Sequence, residues 1–504
     1  MYEDLRNPYQ AGDLPAVLLG GILIKDKLLA KSPVHLVLKS FNRHGLIAGA
    51  TGSGKTKTIQ VLSEQLSLLG VPCLMMDVKG DLSGLAQPGD ANPALVERAK
   101  SLGLTYNPRG FPIEFLTLND LTEQGVPLRS TLSDFGALLF SRMLDVNDTQ
   151  AGVITILFEY AKVNNLDLID LADFKSLLQF AQTDIGKAKI AIDFGGVSAA
   201  TVGTIMRKIV ELESQDGDKF FGEPSFDVND LVRTNSDGLG ILSILRLMDM
   251  QDKPKLFSTF MLKLLTDVYR VMPELGDAPK PKLVFFIDEA HLIFSNASKA
   301  LLSLLDTMVK LIRSKGISLI FCTQTPNDIP DAVLSQLGLK IQHALRAFTA
   351  KDRKAMKLVA QNFPSSIYYN TEELLTSLGI GEALVSGLDA KGEPTPLVDC
   401  RIRPPESRMG VISQQELAAV IAQSTLMSRY GARIEARSAQ EILASQRAET
   451  SAEELNGAGR KKRPIADDSM VEKLSKNTLF RQVIRQVMRD LLRSVMVALG
   501  IKRR

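Results

Sequence analysis

The sequence contains few of the residues that build disulfides and zinc sites. Its 504 residues include three cysteines and four histidines. Cys73, Cys322 and Cys400 are far apart, and the first two lie within apolar runs, so we expect reduced, buried thiols. The histidines do not cluster, so the sequence gives no indication of a zinc site.

Long apolar runs and a large net charge are also missing. No apolar run reaches the roughly 18 residues that span a bilayer, so no transmembrane helix is predicted. Residues 1–6 lack the basic-then-apolar order of a signal peptide. The formal net charge of +3 is too small to indicate a nucleic-acid partner by itself. We expect a cytoplasmic protein with about two or three globular domains.

The most informative motif occupies residues 49–56, where the sequence reads Gly-Ala-Thr-Gly-Ser-Gly-Lys-Thr. An apolar run at 46–48 precedes it, and a segment with helical spacing of apolar residues follows. This strand–loop–helix context is typical of a phosphate-binding loop, in which backbone N–H groups face the phosphates at the positive end of a helix. The predicted nucleotide-binding residues are Gly49, Ala50, Thr51, Gly52, Ser53, Gly54, Lys55, Thr56 and Lys57.

Two side chains of this loop have distinct expected roles. Lys55 is predicted to reach the β- and γ-phosphates of ATP. Thr56 is predicted to ligate Mg²⁺ through its hydroxyl group. ATP and Mg²⁺ are therefore the expected ligands.

An acidic pair, Asp288 and Glu289, follows a second apolar run. Asp288 is predicted to hold the Mg²⁺ shell, and Glu289 to orient or deprotonate the attacking water. Gln324 ends the next predicted strand and is a candidate sensor of the γ-phosphate or the water; a strand-end turn contact is the alternative. His291 is interpreted as a local packing residue.

Two arginines could complete the active site of a neighbouring subunit. Arg313 lies between the acidic-pair strand and the Gln324 strand, and Arg346 closes the following strand. A guanidinium group suits this role because it is planar and permanently charged. An exposed arginine at a helix end is common, so spacing alone leaves both roles open.

Strands that alternate with helices predict an α/β fold whose mainly parallel sheet is flanked by helices, and the glycine-rich loop indicates a P-loop NTPase core. One strand ends at Asp-Val-Lys-Gly-Asp, residues 77–81, where ligands bind in such sheets; a solvated turn is the alternative. The predicted segments are an N-terminal β segment packed on the core (1–40), two parts of the ATPase core (41–127 and 216–431), an α-helical insertion (128–215), a flexible linker (432–470) and a basic amphipathic C-terminal helix (471–504).

The predicted C-terminal helix carries an apolar face and a face of regularly spaced arginines. Residues 471–504 contain nine Lys and Arg against two Asp and Glu. Three interpretations stay open: packing on a neighbouring subunit, binding nucleic-acid phosphates, or lying on an anionic membrane surface. Packing is favoured because the apolar face must be buried, and the membrane is the least favoured.

Together these motifs resemble the HerA/FtsK superfamily of ring-forming P-loop ATPases. The matching pieces are the glycine-rich loop (49–56), Asp-Val-Lys-Gly-Asp (77–81), Phe-Ile-Asp-Glu-Ala-His (286–291), Arg-Ser-Lys-Gly (313–316) and Thr-Gln (323–324). Within the superfamily, the Phe-Gly-Glu-Pro turn at 221–224 and the basic C-terminal helix resemble the bacterial YjgR branch.

The resemblance implies a RecA-like α/β core and an ATPase that usually assembles as a hexamer. It also implies an arginine finger matching Arg313 and, in some members, a DNA substrate. Archaeal HerA carries an N-terminal β-barrel that docks a nuclease, and residues 1–40 are too short for one. No nuclease partner is therefore predicted. The leading interpretation is a DNA translocase or helicase-like motor, and the alternative is an ATP-dependent assembly switch that holds a partner protein.

Overall fold

The computed structural model describes residues 2–248, 253–276, 278–294, 299–346 and 349–457. The chain forms two compact units. The first comprises the described residues up to 130 and from 222 to 434, and the second comprises 131–221 and the described residues from 435 onward. The predicted C-terminal helix at 471–504 lies outside the described residues.

The first unit is built on one sheet of 12 strands among its described residues. The strands are β1 (Ala16–Ile24), β2 (Lys27–Val37), β3 (Gly45–Ala48), β4 (Cys73–Asp77), β5 (Ile113–Thr117), β6 (Val126–Pro127), β7 (Leu242–Arg246), β8 (Leu283–Ile287), β9 (Ile317–Thr323), β10 (Leu339–Gln342), β11 (Glu382–Ser386) and β12 (Val398–Ile402). Their spatial order is β2-β1-β12-β11-β10-β3-β9-β8-β4-β7-β5-β6.

From β10 to β6 every neighbouring pair of strands is parallel. Strands β3, β4, β8 and β9 are buried along their whole length, as expected where helices cover both faces of a parallel sheet. Ala48 at the end of β3 is in register with Thr323 of β9 and Gln342 of β10. The carboxyl ends of these strands therefore meet at one edge of the sheet.

The remaining strands extend the sheet in antiparallel fashion. Strand β1 pairs with β12 and β2, and β11 joins β12 to β10. The N-terminal segment is thus part of the main sheet. Strands β1 and β2 lie within the N-terminal β segment that the sequence predicted, whereas β6 and β12 were not predicted.

The described helices are α1 (Glu3–Arg6), α2 (Lys55–Leu68), α3 (Pro93–Ser101), α4 (Leu132–Met143), α5 (Asp148–Val163), α6 (Leu171–Phe180), α7 (Asp184–Phe194), α8 (Ala199–Glu213), α9 (Pro254–Val271), α10 (His291–Phe294), α11 (Lys299–Ile312), α12 (Asp331–Leu334), α13 (Ala350–Gln361), α14 (Thr371–Ser377), α15 (Gln414–Ala422), α16 (Met427–Tyr430) and α17 (Ala439–Gly457). None of these helices has the length and apolar character needed to cross a membrane.

The second unit consists of α4 to α8 and α17. Its core contains an aromatic cluster in which the rings of Phe140 and Phe174 meet edge to face, with centroids 5.2 Å apart. Helix α17 docks on α6, where the backbone N–H of Gln440 donates to Asp173 Oδ1 at 2.8 Å. The unit begins at 131 and its first part ends at 221, whereas we predicted an insertion over 128–215.

Helix α17 also differs from the flexible linker predicted over 432–470. Its sequence is rich in alanine, glutamate, glutamine and leucine, which have high helix propensity. The linker was predicted from the polar and small residues of this segment, and their high helix propensity was not considered. Residues 458–470 lie outside the described part of the chain.

Candidate nucleotide-binding site

The glycine-rich loop joins β3 to α2 at the carboxyl edge of the sheet. Gly49, Gly52 and Gly54 have φ angles of 152°, 79° and 116°, which favour glycine over residues with a Cβ. A Cβ atom on Gly49 would lie 2.5 Å from Cβ of His343, and one on Gly54 would lie 3.1 Å from the backbone N of Gly381. The glycines therefore let the loop curl tightly against neighbouring segments.

His343, just after β10, lies directly beneath this loop and is fully buried. Its backbone N–H donates to Ala48 O at 2.7 Å. Its Nδ1 is 2.9 Å from Glu382 O, and its Nε2 is 2.8 Å from Oγ1 of Thr58 on α2. Burial lowers the pKa of His343 to about 4, so the ring is neutral at pH 7. Nδ1 then donates to the carbonyl, and Nε2 accepts from the threonine hydroxyl.

Lys55 is the first residue of α2, and its ammonium is held over the loop. Nζ donates to Gly49 O at 2.6 Å and to Ala50 O at 3.2 Å. Burial and the neighbouring ammonium of Lys79 lower the pKa of Lys55. A phosphate group in the loop would relieve this electrostatic repulsion.

The next two residues of α2 have different partners. The hydroxyl of Thr56 donates to Asp81 Oδ2 at 3.1 Å. The ammonium of Lys57 donates instead to the carbonyl of Met409. The side chain of Lys57 therefore contacts the backbone of the segment around Met409.

The turn after β4 is organised by Asp77. Its carboxylate accepts from the backbone N–H groups of Gly80 at 2.7 Å, Asp81 at 3.2 Å and Leu82 at 3.1 Å. Burial raises the pKa of Asp77 to about 6. The sequence placed this motif at the carboxyl edge, with a solvated turn as the alternative. Asp77 is buried, and the turn that it closes presents Lys79 and Asp81.

Asp288 and Glu289 follow β8 at the same edge. Glu289 adopts a left-handed φ of 47°. Its Oε1 forms an ion pair with Lys79, and its Oε2 lies 3.2 Å from His291 Nδ1 without hydrogen-bond geometry. Burial and the charge of Glu289 raise the pKa of Asp288 to about 7. A cation bound beside Asp288 would favour its ionised form.

The oxygen atoms gathered here fit a magnesium ion. Thr56 offers a hydroxyl group, Asp288 a carboxylate, and Asp81 Oδ1 is buried without a hydrogen-bond partner among the described residues. The described residues contain no cluster of three or more His, Cys, Asp or Glu side chains that could hold a metal ion. Mg²⁺ in nucleotide sites is usually held by one or two protein oxygens together with waters and phosphates, so this sparse set is suitable.

The other predicted site residues, Gln324, Arg346 and Arg313, lie at two opposite edges of the sheet. Gln324 follows the carboxyl end of β9, and Arg346 follows that of β10; both side chains are exposed. Both therefore lie at the edge that carries the loop and the acidic pair. Arg313 is exposed in a 3₁₀ turn immediately before β9. It lies at the opposite edge, on the order of 20 Å away along the seven-residue strand.

The surface around Arg313 is rich in positive charge. A hollow of about 220 Å³ is lined by the cations Arg43, Lys310 and Arg313 together with uncharged residues. One of the uncharged residues is His44, because burial lowers its pKa to about 4. Lys310 is paired with Asp306 at 2.7 Å. An anionic group could bind at this edge, which agrees with the predicted role of Arg313 in contacting a phosphate.

Residues 23–464 match the family model described as "Helicase HerA-like C-terminal". The chain belongs to this HerA-like family. It is 23% identical over 382 residues to the DNA double-strand break repair helicase HerA of Sulfurisphaera tokodaii, covering 74% of this chain and 68% of the relative. It is 22% identical over 404 residues to the probable HerA helicase of Methanocaldococcus jannaschii, covering 76% of each chain.

Solved structures support the same fold. The bacterial conjugative coupling protein TrwBdeltaN70 superposes with a TM-score of 0.52 at 14% identity, covering 81% of this chain and 94% of that chain. The plasmid coupling protein TrwB in complex with ADP and Mg²⁺ gives a TM-score of 0.51 at 14% identity, covering 82% and 94%. The predicted RecA-like α/β fold and HerA/FtsK-type P-loop ATPase are confirmed. The YjgR branch stays a prediction.

In this HerA-like chain, sequence reasoning overlooked the roles of His343, Lys79 and Asp81. The motif at 77–81 was recognised as a whole, but the contacts of its Lys and second Asp were not predicted. His343 had no motif signal. A polar residue one position past a buried strand was the only clue, and it became meaningful once β10 was seen beside β3.

Proposed function

We propose that this HerA-like ATPase hydrolyses ATP with Mg²⁺ and uses the free energy to move along DNA. The observation that carries the proposal is the meeting of the phosphate-binding loop, the Thr56–Asp81 pair and the Asp288–Glu289 pair at one edge of the sheet. Each supplies a different requirement of phosphoryl transfer: phosphate binding, metal ligation and water activation.

The residues divide the work as follows. The loop N–H groups and Lys55 bind the β- and γ-phosphates, while Thr56 and Asp288 ligate the metal. Mg²⁺, when bound, neutralises charge on the phosphate oxygens. Glu289 accepts a proton from the attacking water, and Gln324 orients that water or contacts the γ-phosphate.

We also propose that the active unit is a cytoplasmic ring of identical subunits, with six as the expected number. Arg313 lies at the edge opposite its own loop, so it cannot reach the phosphates bound by its own chain. A neighbouring subunit that placed this edge against the loop would bring the guanidinium to the γ-phosphate. Hydrolysis would then depend on assembly.

DNA is the proposed substrate because the HerA relatives are named as DNA double-strand break repair helicases. The test is to measure the ATPase rate with double-stranded DNA, single-stranded DNA and RNA at several salt concentrations. We expect stimulation by DNA that falls steeply with salt, because phosphate contacts release counterions. The Glu289→Gln variant is the control, because the hydrolysis that remains in it measures the background rate. Assembly driven by ATP without any nucleic-acid effect would favour the partner-holding switch instead.

A further inference from the structure

The ammonium of Lys79 forms an ion pair with Oε1 of Glu289, the residue proposed to activate the water. The two side chains differ in exposure: 41% for Lys79 and 8% for Glu289. Lys79 is therefore open to solvent while it is in contact with a buried carboxylate. Asp288 and Asp81 are further charged groups that act on Lys79.

The backbone that carries each partner is constrained. Asp77 accepts three backbone N–H groups from the turn that contains Lys79. Glu289 follows a fully buried strand. Most of the available movement therefore belongs to the flexible four-carbon side chain of Lys79, which can redirect its ammonium without any change in the fold.

The position of Glu289 also defines the surroundings of Lys79. A general base must reach the attacking water, and that water must lie beside the γ-phosphate. An ammonium in contact with the base is therefore within a few ångströms of the γ-phosphate position. The mutual repulsion between Lys55 and Lys79, which contributes to the lowered pKa of Lys55, agrees with this proximity.

We propose that Lys79 is a second γ-phosphate-binding lysine, and that its ammonium transfers from Glu289 to the γ-phosphate when ATP binds. The transfer frees Oε1 of Glu289 to accept from the attacking water. ADP has no γ-phosphate, so with ADP bound Lys79 stays on Glu289. The proposal rests on the proposed ATPase function of the same site and adds a residue that distinguishes ATP from ADP.

The test is equilibrium binding of ATPγS and of ADP, each with Mg²⁺, to the full chain and to Lys79→Met. We expect Lys79→Met to weaken ATPγS by about tenfold or more, the usual effect of losing a hydrogen bond between charged groups. ADP affinity should change little, and its retention shows that the variant is folded. Lys175→Met is the matched control, because the ammonium of Lys175 on α6 also pairs with a glutamate, Glu213, at 3.0 Å; its loss should leave the ATPγS-to-ADP ratio unchanged.

A second comparison tests whether Lys79 contacts the γ-phosphate or only screens the charge of Glu289. Glu289→Gln releases Lys79, so it should raise ATPγS affinity more when Lys79 is present than in the Lys79→Met background. If Lys79 only screened Glu289, the gain would be equal or larger without the lysine, and the proposal would be wrong. An unchanged ATPγS-to-ADP ratio in Lys79→Met would also overturn it. If the wild-type chain bound neither nucleotide, the ATPase proposal itself would fail.

Discussion

Nε2 of His343 lies 2.8 Å from Oγ1 of Thr58, although the two residues are 285 positions apart in the chain. This contact joins the end of β10 to the first turns of α2. The Cβ atom of His343 also lies beside Gly49, where an added Cβ atom would be only 2.5 Å away and could not fit. The shape of the phosphate-binding loop therefore depends on a strand that carries none of the recognised phosphate-binding motifs.

We expect His343→Ala to raise the KM for ATP and to lower the free energy of unfolding by about 1–3 kcal/mol, because it leaves buried polar groups without partners. Steady-state kinetics and denaturant unfolding would measure both effects. His35, which is half-buried on β2, supplies the control variant His35→Ala. An equal rise in KM in both variants would contradict a specific role for His343.

Lys55→Ala and Glu289→Gln should separate nucleotide binding from turnover. Lys55 contacts the ground-state phosphates, so its removal should abolish tight binding of ATP. Glu289 acts on the water, so Glu289→Gln should bind ATP but hydrolyse it very slowly. Binding by nucleotide fluorescence and turnover by phosphate release would test the pair. Hydrolysis by Glu289→Gln at the wild-type rate would show that another group is the base.

The sequence predicted the fold where local pattern and tertiary environment agree. Strands β3 and β8 lie at the apolar runs that precede the glycine-rich loop and the acidic pair, because continuous apolar runs are typical of buried parallel strands. Strand β12 reads Val-Asp-Cys-Arg-Ile, and its charged residues hid a strand that pairs on both sides. Asp399, buried in this strand, is a residue that composition alone would place on the surface.

The candidate site could be predicted as a set of motifs but not as a set of contacts. The glycine-rich loop, the acidic pair and Gln324 could each be predicted from a short segment of the sequence. The Lys79–Glu289 ion pair depends on β4 lying next to β8, and the His343–Thr58 contact depends on β10 lying next to β3. Such neighbours are set by strand order, which the local sequence does not encode.

Asp81→Asn should weaken Mg²⁺ binding at the nucleotide site, so that ATP binding requires a higher Mg²⁺ concentration. The carboxylate accepts from the Thr56 hydroxyl, and removing a group that orients a metal ligand typically lowers metal affinity by about tenfold or more. Titration of ATP binding at increasing Mg²⁺ would show a higher half-saturating Mg²⁺ concentration. Asp90→Asn, an exposed change on the loop after this turn, is the control. Coincident Mg²⁺ titrations of Asp81→Asn and wild type would exclude this role.

Glu64 gives a prediction for the pH dependence of stability. This carboxyl group is buried on α2 and accepts from the backbone N–H groups of Glu406 and Ser407. Burial raises its pKa to about 7, so the folded chain binds a proton that the unfolded chain releases above about pH 4.5. This contribution to stability is complete below pH 4.5 and is lost as the pH rises through 7.

Glu64→Gln should therefore remove a pH-dependent part of the unfolding free energy. Relative to the variant, the wild type should lose on the order of 1–3 kcal/mol between pH 4.5 and 8. Urea unfolding across this range would measure the difference, with Glu97→Gln on the exposed side of α3 as control. Parallel pH curves for wild type and Glu64→Gln would show that Glu64 does not titrate in this window.

Arg313→Ala should bind ATP and assemble but turn over on the order of a thousandfold more slowly, because an arginine finger contributes this much or more in phosphoryl transfer. Its matched control is Lys315→Ala, a cation in the same turn whose Nζ pairs with Glu274 at 3.0 Å. That variant should keep most of its turnover. Similar losses of turnover in both variants would indicate that the turn is damaged, and not that an arginine finger has been removed.

Mixing Arg313→Ala with Glu289→Gln tests whether the arginine acts on a neighbouring subunit. Each variant alone lacks one requirement at every interface. In mixed oligomers, some interfaces combine an intact Glu289 from one subunit with an intact Arg313 from the next, so activity should return in part. Verified mixed oligomers that stay inactive, or a monomer that hydrolyses ATP at the full rate, would show that Arg313 does not act between subunits. Arg346, which follows the carboxyl end of β10 beside the loop, would then be the next residue to test, as a group acting within its own chain.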